Sequence, residues 1–118
     1  MEKFFEQALL YDFYGELLTP HQQNVYEAAV FNDMSLGEIA QEQGISRQGV
    51  HDLIKRCDKI LQGYEEKLHL VERFEEAKGK ISEIVSLTEC GEESLETGDY
   101  QSRMVHIRKL SQELLKEL

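Results

Sequence analysis

The sequence predicts an all-α fold, and three observations carry the prediction. The chain has 118 residues, 31% of them charged, with one proline and no tryptophan; its long stretches alternate Glu, Lys, Leu and Gln, all good helix formers. Apolar side chains recur at spacings of three and four, which places them on one side of a helix rather than on one face of a strand. The residues that punctuate these runs are those that start or stop helices: Thr19 with Pro20, Ser35 with Glu38, Gly44, and Ser46. The length fits one core with an added arm, expected as a helix-turn-helix domain over residues 1–75 and a C-terminal helical arm over residues 76–118.

The first helix is expected from Phe4 to Leu18, "FFEQALLYDFYGELL", with apolar residues at 4, 5, 8, 9, 11, 14, 17 and 18 and with Leu10 and Phe13 widening the stripe. Such a helix needs cover on more than one side. Thr19 can cap free N–H groups and Pro20 has none to leave unsatisfied, so a second helix opens there and runs to Phe31, where Asn32 and Asp33 break it. Ser35 and Glu38 form a capping box for a short third helix, which stops at Gly44 in the left-handed conformation. Ser46 caps the fourth. There Val50, Ile54, Cys57, Leu61, Tyr64, Leu68 and Val71 alternate spacings of four and three over three heptads, predicting a long helix that reaches the mid-seventies beside another helix. Gly79 and the polar stretch from Gly91 to Asp99 set off a short helix bearing Ile81, Ile84, Val85 and Thr88. A final helix follows from about Tyr100, with Tyr100, Met104, Ile107, Leu114 and Leu118 in near-heptad spacing interrupted at Ser111.

The middle of this plan has the demands of a helix-turn-helix. Two helices that cross closely need a small residue at the crossing, a residue able to turn four positions on, and apolar residues bracketing both. Ala40, Gly44, and Ile39, Ile45, Val50 and Leu53 supply them. If the fourth helix enters a groove of nucleic acid, its first turns must present polar side chains away from Val50, Leu53 and Ile54. These are Arg47, Gln48, His51, Asp52 and Lys55. Gln48 suits an adenine edge, Arg47 a guanine or a phosphate, and Lys55, Arg56 and Lys59 the backbone. Helix-turn-helix units also serve as protein-interaction modules, and an ordinary solvated face is the competing reading of these charges.

Net charge bears on the choice. The chain carries −10 overall, yet residues 35–60 hold four basic side chains against four acidic ones and are neutral; the acidity lies on either side. Acidic surface turned away from a groove does not forbid binding, but four basic residues neutralise few phosphates, so affinity is expected to be modest and salt-dependent. No apolar run approaches the roughly 20 residues of a membrane span and no signal-peptide pattern is present, so a cytoplasmic protein without membrane insertion is expected. Cys57 and Cys90 lack the paired spacing of a metal site and are expected to be core thiols. His21, His51, His69 and His106 are scattered, and no phosphate loop or nucleophile motif occurs, so neither catalysis, a metal nor a cofactor is expected.

From Phe13 to Leu68 the chain resembles the YlxM-like family of small bacterial helix-turn-helix proteins, whose motif is itself similar to region 4 of sigma-70-type sigma factors. The residues that carry the resemblance are "FYGELLT" (13–19), Gln22 or Gln23, "SLGEIAQEQGISRQGVHDLIKRCDKIL" (35–61) and "YEEKLHL" (64–70), the string from Ser35 to Arg56 being the specific part. The resemblance implies a sigma region 4-like helix-turn-helix bundle without the rest of a sigma factor. It implies DNA binding through Arg47, Gln48, His51, Lys55 and Arg56, and no catalysis. It also implies, through gene neighbourhood, a regulatory or RNA-linked role near the signal recognition particle pathway. Asp52 and the neutral Gln48 depart from the more basic recognition helices of sigma factors.

The expectation is therefore a nucleic-acid-binding regulatory protein whose ligand is DNA or structured RNA, the signal recognition particle RNA included, with components of that particle as partners. The alternative is a protein-interaction adaptor that presents Glu65, Glu66, Glu72, Glu75, Glu76, Glu89, Glu92, Glu93, Glu96 and Asp99 to basic proteins. Surplus apolar surface on the first, fourth and final helices points to a homodimer.

Overall fold

The computed structural model describes residues 2–89 and 97–117 and divides into two compact units, Met1–Val71 and Glu72–Leu118. Its helices are α1 (Glu2–Tyr14), α2 (Pro20–Val30), α3 (Leu36–Gln43), α4 (Arg47–Leu68), α5 (Leu70–Thr88) and α6 (Thr97–Glu117), with a 3₁₀ turn at Gly15–Leu17. No strand occurs among the described residues. The all-α expectation holds, including the helix-turn-helix order of α2, α3 and α4.

The caps form where the sequence places them. Thr19 accepts from the Gln22 N–H at 3.2 Å while the Gln22 side chain accepts from the Thr19 N–H at 2.9 Å. Ser35 and Glu38 make the same reciprocal pair at the start of α3, and the Ser46 hydroxyl accepts from the Gly49 N–H at 2.9 Å to open α4. Gly44 ends α3 at φ 69°, the left-handed geometry that glycine adopts without strain. α1 stops four residues before its expected end. At Gly15 a Cβ would lie 2.8 Å from the Tyr11 ring, so only glycine lets the chain tighten into the 3₁₀ turn there.

Two adjoining clusters make the core of the first unit. Leu10, Tyr14, Leu18, Tyr26, Cys57 and Leu61 join α1 to α2 and α4; Val25, Ile39, Ala40 and Val50 join α2 and α3 to α4, and Leu53 and Ile54 pack against both. From Val50 to Leu61 the α4 seam is thus covered within its own unit: Val50, Cys57 and Leu61 have no exposed surface. Burial pushes the Cys57 thiol up to about 11, which keeps it a neutral core group at neutral pH. Cys90, expected as a second core thiol, lies outside the described residues. Ala40 is buried between α3 and its neighbours. Ala40→Leu is expected to cost about 1–3 kcal/mol in urea unfolding through overpacking; wild-type stability in that variant would misplace the crossing.

α4 does not reach the mid-seventies. His69 takes the left-handed conformation at φ 56°, and the next two N–H groups find partners outside their own helix. Leu70 N–H donates to the Tyr14 hydroxyl at 3.1 Å and Val71 N–H to Glu65 Oε1 at 3.0 Å, while the Tyr14 hydroxyl donates to the same Glu65 oxygen at 2.5 Å. These bonds satisfy free donors at the first turn of α5. The heptad spacing crosses the break because Val71 still packs against the core cluster of Leu61 and Tyr14. Gly79, expected to separate two pieces, lies inside α5; its site is open, and a helix tolerates the roughly 1 kcal/mol a mid-helix glycine costs.

The second unit pairs α5 and α6 antiparallel. Lys80 meets Glu113 and Glu117, Glu83 meets His106 at 3.2 Å, and the Leu87 carbonyl accepts from Arg103 at 3.4 Å, so positions rise along one helix as they fall along the other. The covered side of α6 coincides with the expected seam only in part. Leu110 is buried and Ile107 and Leu114 half-buried, while Tyr100 and Met104 are exposed; Leu118 lies outside the described residues.

Candidate nucleic-acid interface

The Ser46 cap fixes where α4 begins, and the burial of Val50, Leu53 and Ile54 fixes which way its first turns face. Residues four apart share a helix side, so Arg47, His51, Lys55 and Lys59 run along one outer flank, with Gln48 beside them. Arg47, Gln48, Lys55 and Lys59 are exposed and His51 is half-buried. Arg56 is also exposed; nine residues from Arg47, or roughly two and a half turns, put it half a turn round from Arg47 but next to Lys59. The six candidate residues therefore spread over about half the circumference of α4, with Arg47 at one edge and Arg56 at the other.

Their partners differ. Gln48 Nε2 donates to Asp52 Oδ1 at 3.0 Å, an i, i+4 bond that occupies one of the two amide hydrogens and leaves the other and Oε1 for a base edge. His51 Nδ1 sits 3.7 Å from the same carboxylate oxygen, beyond hydrogen-bonding distance. Shielded from solvent, that nitrogen has no hydrogen-bond partner among the described residues. Among the described residues neither Arg47, Lys55 nor Lys59 joins an ion pair. Arg47 lies beside the first turn of α3: a Cβ on Gly37 would come 3.9 Å from its Cδ and Nε and from Ser35 Oγ.

Asp58, the remaining acidic residue of this stretch, has a structural task. Its Oδ1 accepts from the Tyr26 hydroxyl at 2.6 Å and from Gln7 Nε2 at 3.0 Å, and its Oδ2 from the same amide at 3.1 Å. This carboxylate ties α1 and α2 to the back of α4. Burial and the adjoining carboxylate both push the Tyr26 hydroxyl above its ordinary range, keeping it a donor. Sequence reasoning missed this tie, and it missed Lys3, which lines one groove with Ser35, His51 and Lys55. No local spacing connects positions so far apart; the only signal was that α1 must cover α4.

The acidic residues of the adaptor reading divide. Glu66, Glu72, Glu75, Glu76 and Glu89 are exposed, and so is Asp99. Glu65 is turned inward to Tyr14 and the first turn of α5, and Glu92, Glu93 and Glu96 lie outside the described residues. Among the described residues no helix is long and apolar enough to cross a membrane.

Comparison with known proteins agrees with this architecture. A family profile described as "Putative helix-turn-helix protein, YlxM / p13 like" matches residues 1–101. A UPF0122 protein of Acetivibrio thermocellus is 51% identical over 85 residues, 72% of this chain and 73% of its own. One of Desulforamulus reducens is 45% identical over 87 residues, 74% of each chain. One of Thermoanaerobacter is 39% identical over 117 residues, covering 99% of this chain and 94% of its own. With most of its length matched by the profile and a helix-turn-helix built as that description says, the chain belongs to the UPF0122 family of YlxM/p13-like proteins.

Proposed function

We propose that the protein is a cytoplasmic, non-enzymatic regulator that binds nucleic acid through the outer flank of α4. The observation that carries the reading is that this flank, in a chain of net charge −10, presents Arg47, Lys55 and Lys59 exposed and without ion pairs among the described residues. Arg47, Gln48 and His51 are the candidates for base edges; Lys55, Lys59 and Arg56 are the candidates for phosphates. Duplex DNA fits a region 4-like motif. The structured RNA of the signal recognition particle is the second ligand to test, since the resemblance implies a role beside that pathway.

A second copy of the chain supports this reading, because two recognition helices on one duplex offset the few basic residues on each. Val50, Cys57 and Leu61 of the α4 seam are buried and leave little apolar surface there for a second copy. Phe4 and Phe5 on α1 are largely exposed, and α1 supplies the dimer surface. The test is fluorescence anisotropy with a labelled duplex and a labelled structured RNA across a salt series. Affinity is expected to fall linearly with log salt, and Lys55→Gln to reduce that slope by about 1. A slope near zero, or one unchanged by the substitution, would remove Lys55 from the interface. Light scattering on the same sample is expected to give twice the chain mass of 13.7 kDa.

A further inference from the structure

A groove of about 340 Å³ opens beside the recognition flank, between the start of α1, the end of α2, the start of α3 and α4. Ala29, Met34 and Ile54 are among the apolar residues of its wall, and Lys3, His51 and Lys55 are among the polar ones. The volume lies at the lower end of that usual for small-molecule sites. A further feature points to a ligand. Among the described residues Lys3 and Lys55 are in no ion pair, while the nearby acid, Asp58, already accepts three hydrogen bonds from Gln7 and Tyr26. The groove thus offers an apolar wall and two ammonium groups in no ion pair among the described residues.

We propose that this groove binds a small amphipathic monoanion, an apolar body about the size of one aromatic ring with a short chain ending in a carboxylate. Its occupation competes with nucleic acid for His51 and Lys55. The binding stands independently of the proposed function; the competition rests on it.

The test uses the full-length chain and sodium 4-phenylbutyrate as probe, followed by amide chemical shifts. 4-Phenylbutan-1-ol and inorganic phosphate serve as controls. Saturable shifts at Ala29, Met34, His51 and Ile54 are expected with the carboxylate, and weaker ones with the alcohol. Lys3→Gln, an exposed substitution outside the core, is expected to weaken the carboxylate by roughly two- to fivefold, the scale of one exposed ion pair. No saturable shift at millimolar probe, shifts elsewhere in the chain, or an equal response to the alcohol would overturn the site. An equal response to phosphate would also overturn it and reassign the groove to the nucleic-acid backbone. Saturating probe is expected to lower duplex affinity. If the probe binds the groove and duplex affinity stays the same, the competition is overturned. If the probe binds and no nucleic acid does, the proposed function fails and the groove remains.

Discussion

Arg47→Glu combined with Lys55→Glu is expected to abolish nucleic-acid binding, lowering affinity by about two orders of magnitude at low salt. Each change removes one favourable charge on the outer flank of α4 and adds one that repels phosphate. Both side chains are exposed, and among the described residues neither is held by an ion pair, so folding loses little; stability within about 0.5 kcal/mol of wild type is expected from urea unfolding. Reading both quantities on one sample separates a lost interface from a lost fold. Wild-type affinity in the folded double variant would exclude this flank as the ligand-binding surface.

Leu61→Ala is expected to show the largest loss of stability, about 2–5 kcal/mol, against a total of about 5–15 for a small domain. Leu61 has no exposed surface and shares a cluster with Tyr14, Tyr26 and Cys57, so truncation leaves a cavity that three helices would have to move to close. Leu68, one heptad further along the same expected seam, is 46% exposed, and its truncation is expected to cost under about 1 kcal/mol. A similar loss at both positions would mean that the seam is uniformly packed, contrary to the structure. The same burial makes Leu61 unsuitable as a probe of dimerisation: an aspartate there would unfold the unit rather than separate two copies.

Much of the first unit was legible because helix boundaries are written in local chemistry. Thr19, Ser35, Gly44 and Ser46 each act on backbone groups within a few residues, and each does in the structure what its side chain, or lack of one, can do. The end of α4 was not legible. Heptad spacing reports which side of a helix is apolar, but it is blind to a backbone reversal that keeps the next apolar residue in contact. At His69 the reversal is fixed by a tyrosine hydroxyl 56 positions before the amide it accepts from. On the candidate interface, the direction of Arg47, Lys55 and Lys59 followed from the burial of Val50 and Ile54. The engagement of Gln48 by Asp52 was readable from their i, i+4 spacing, whereas the groove, assembled from α1, α2, α3 and α4, was not.

The ties at Asp58 and Glu65 bear on exchange of parts among relatives. The stretch that looks self-contained in sequence, Ser35 to Arg56, ends before both carboxylates, and their partners Gln7, Tyr14 and Tyr26 all precede it. Transplanting that stretch alone would carry over the presented side chains but not the anchors that set the pitch and roll of the helix bearing them. The smallest transferable cassette is the whole unit Met1–Val71, and a donor and a recipient that differ at position 7, 14 or 26 would present the same side chains at a different angle.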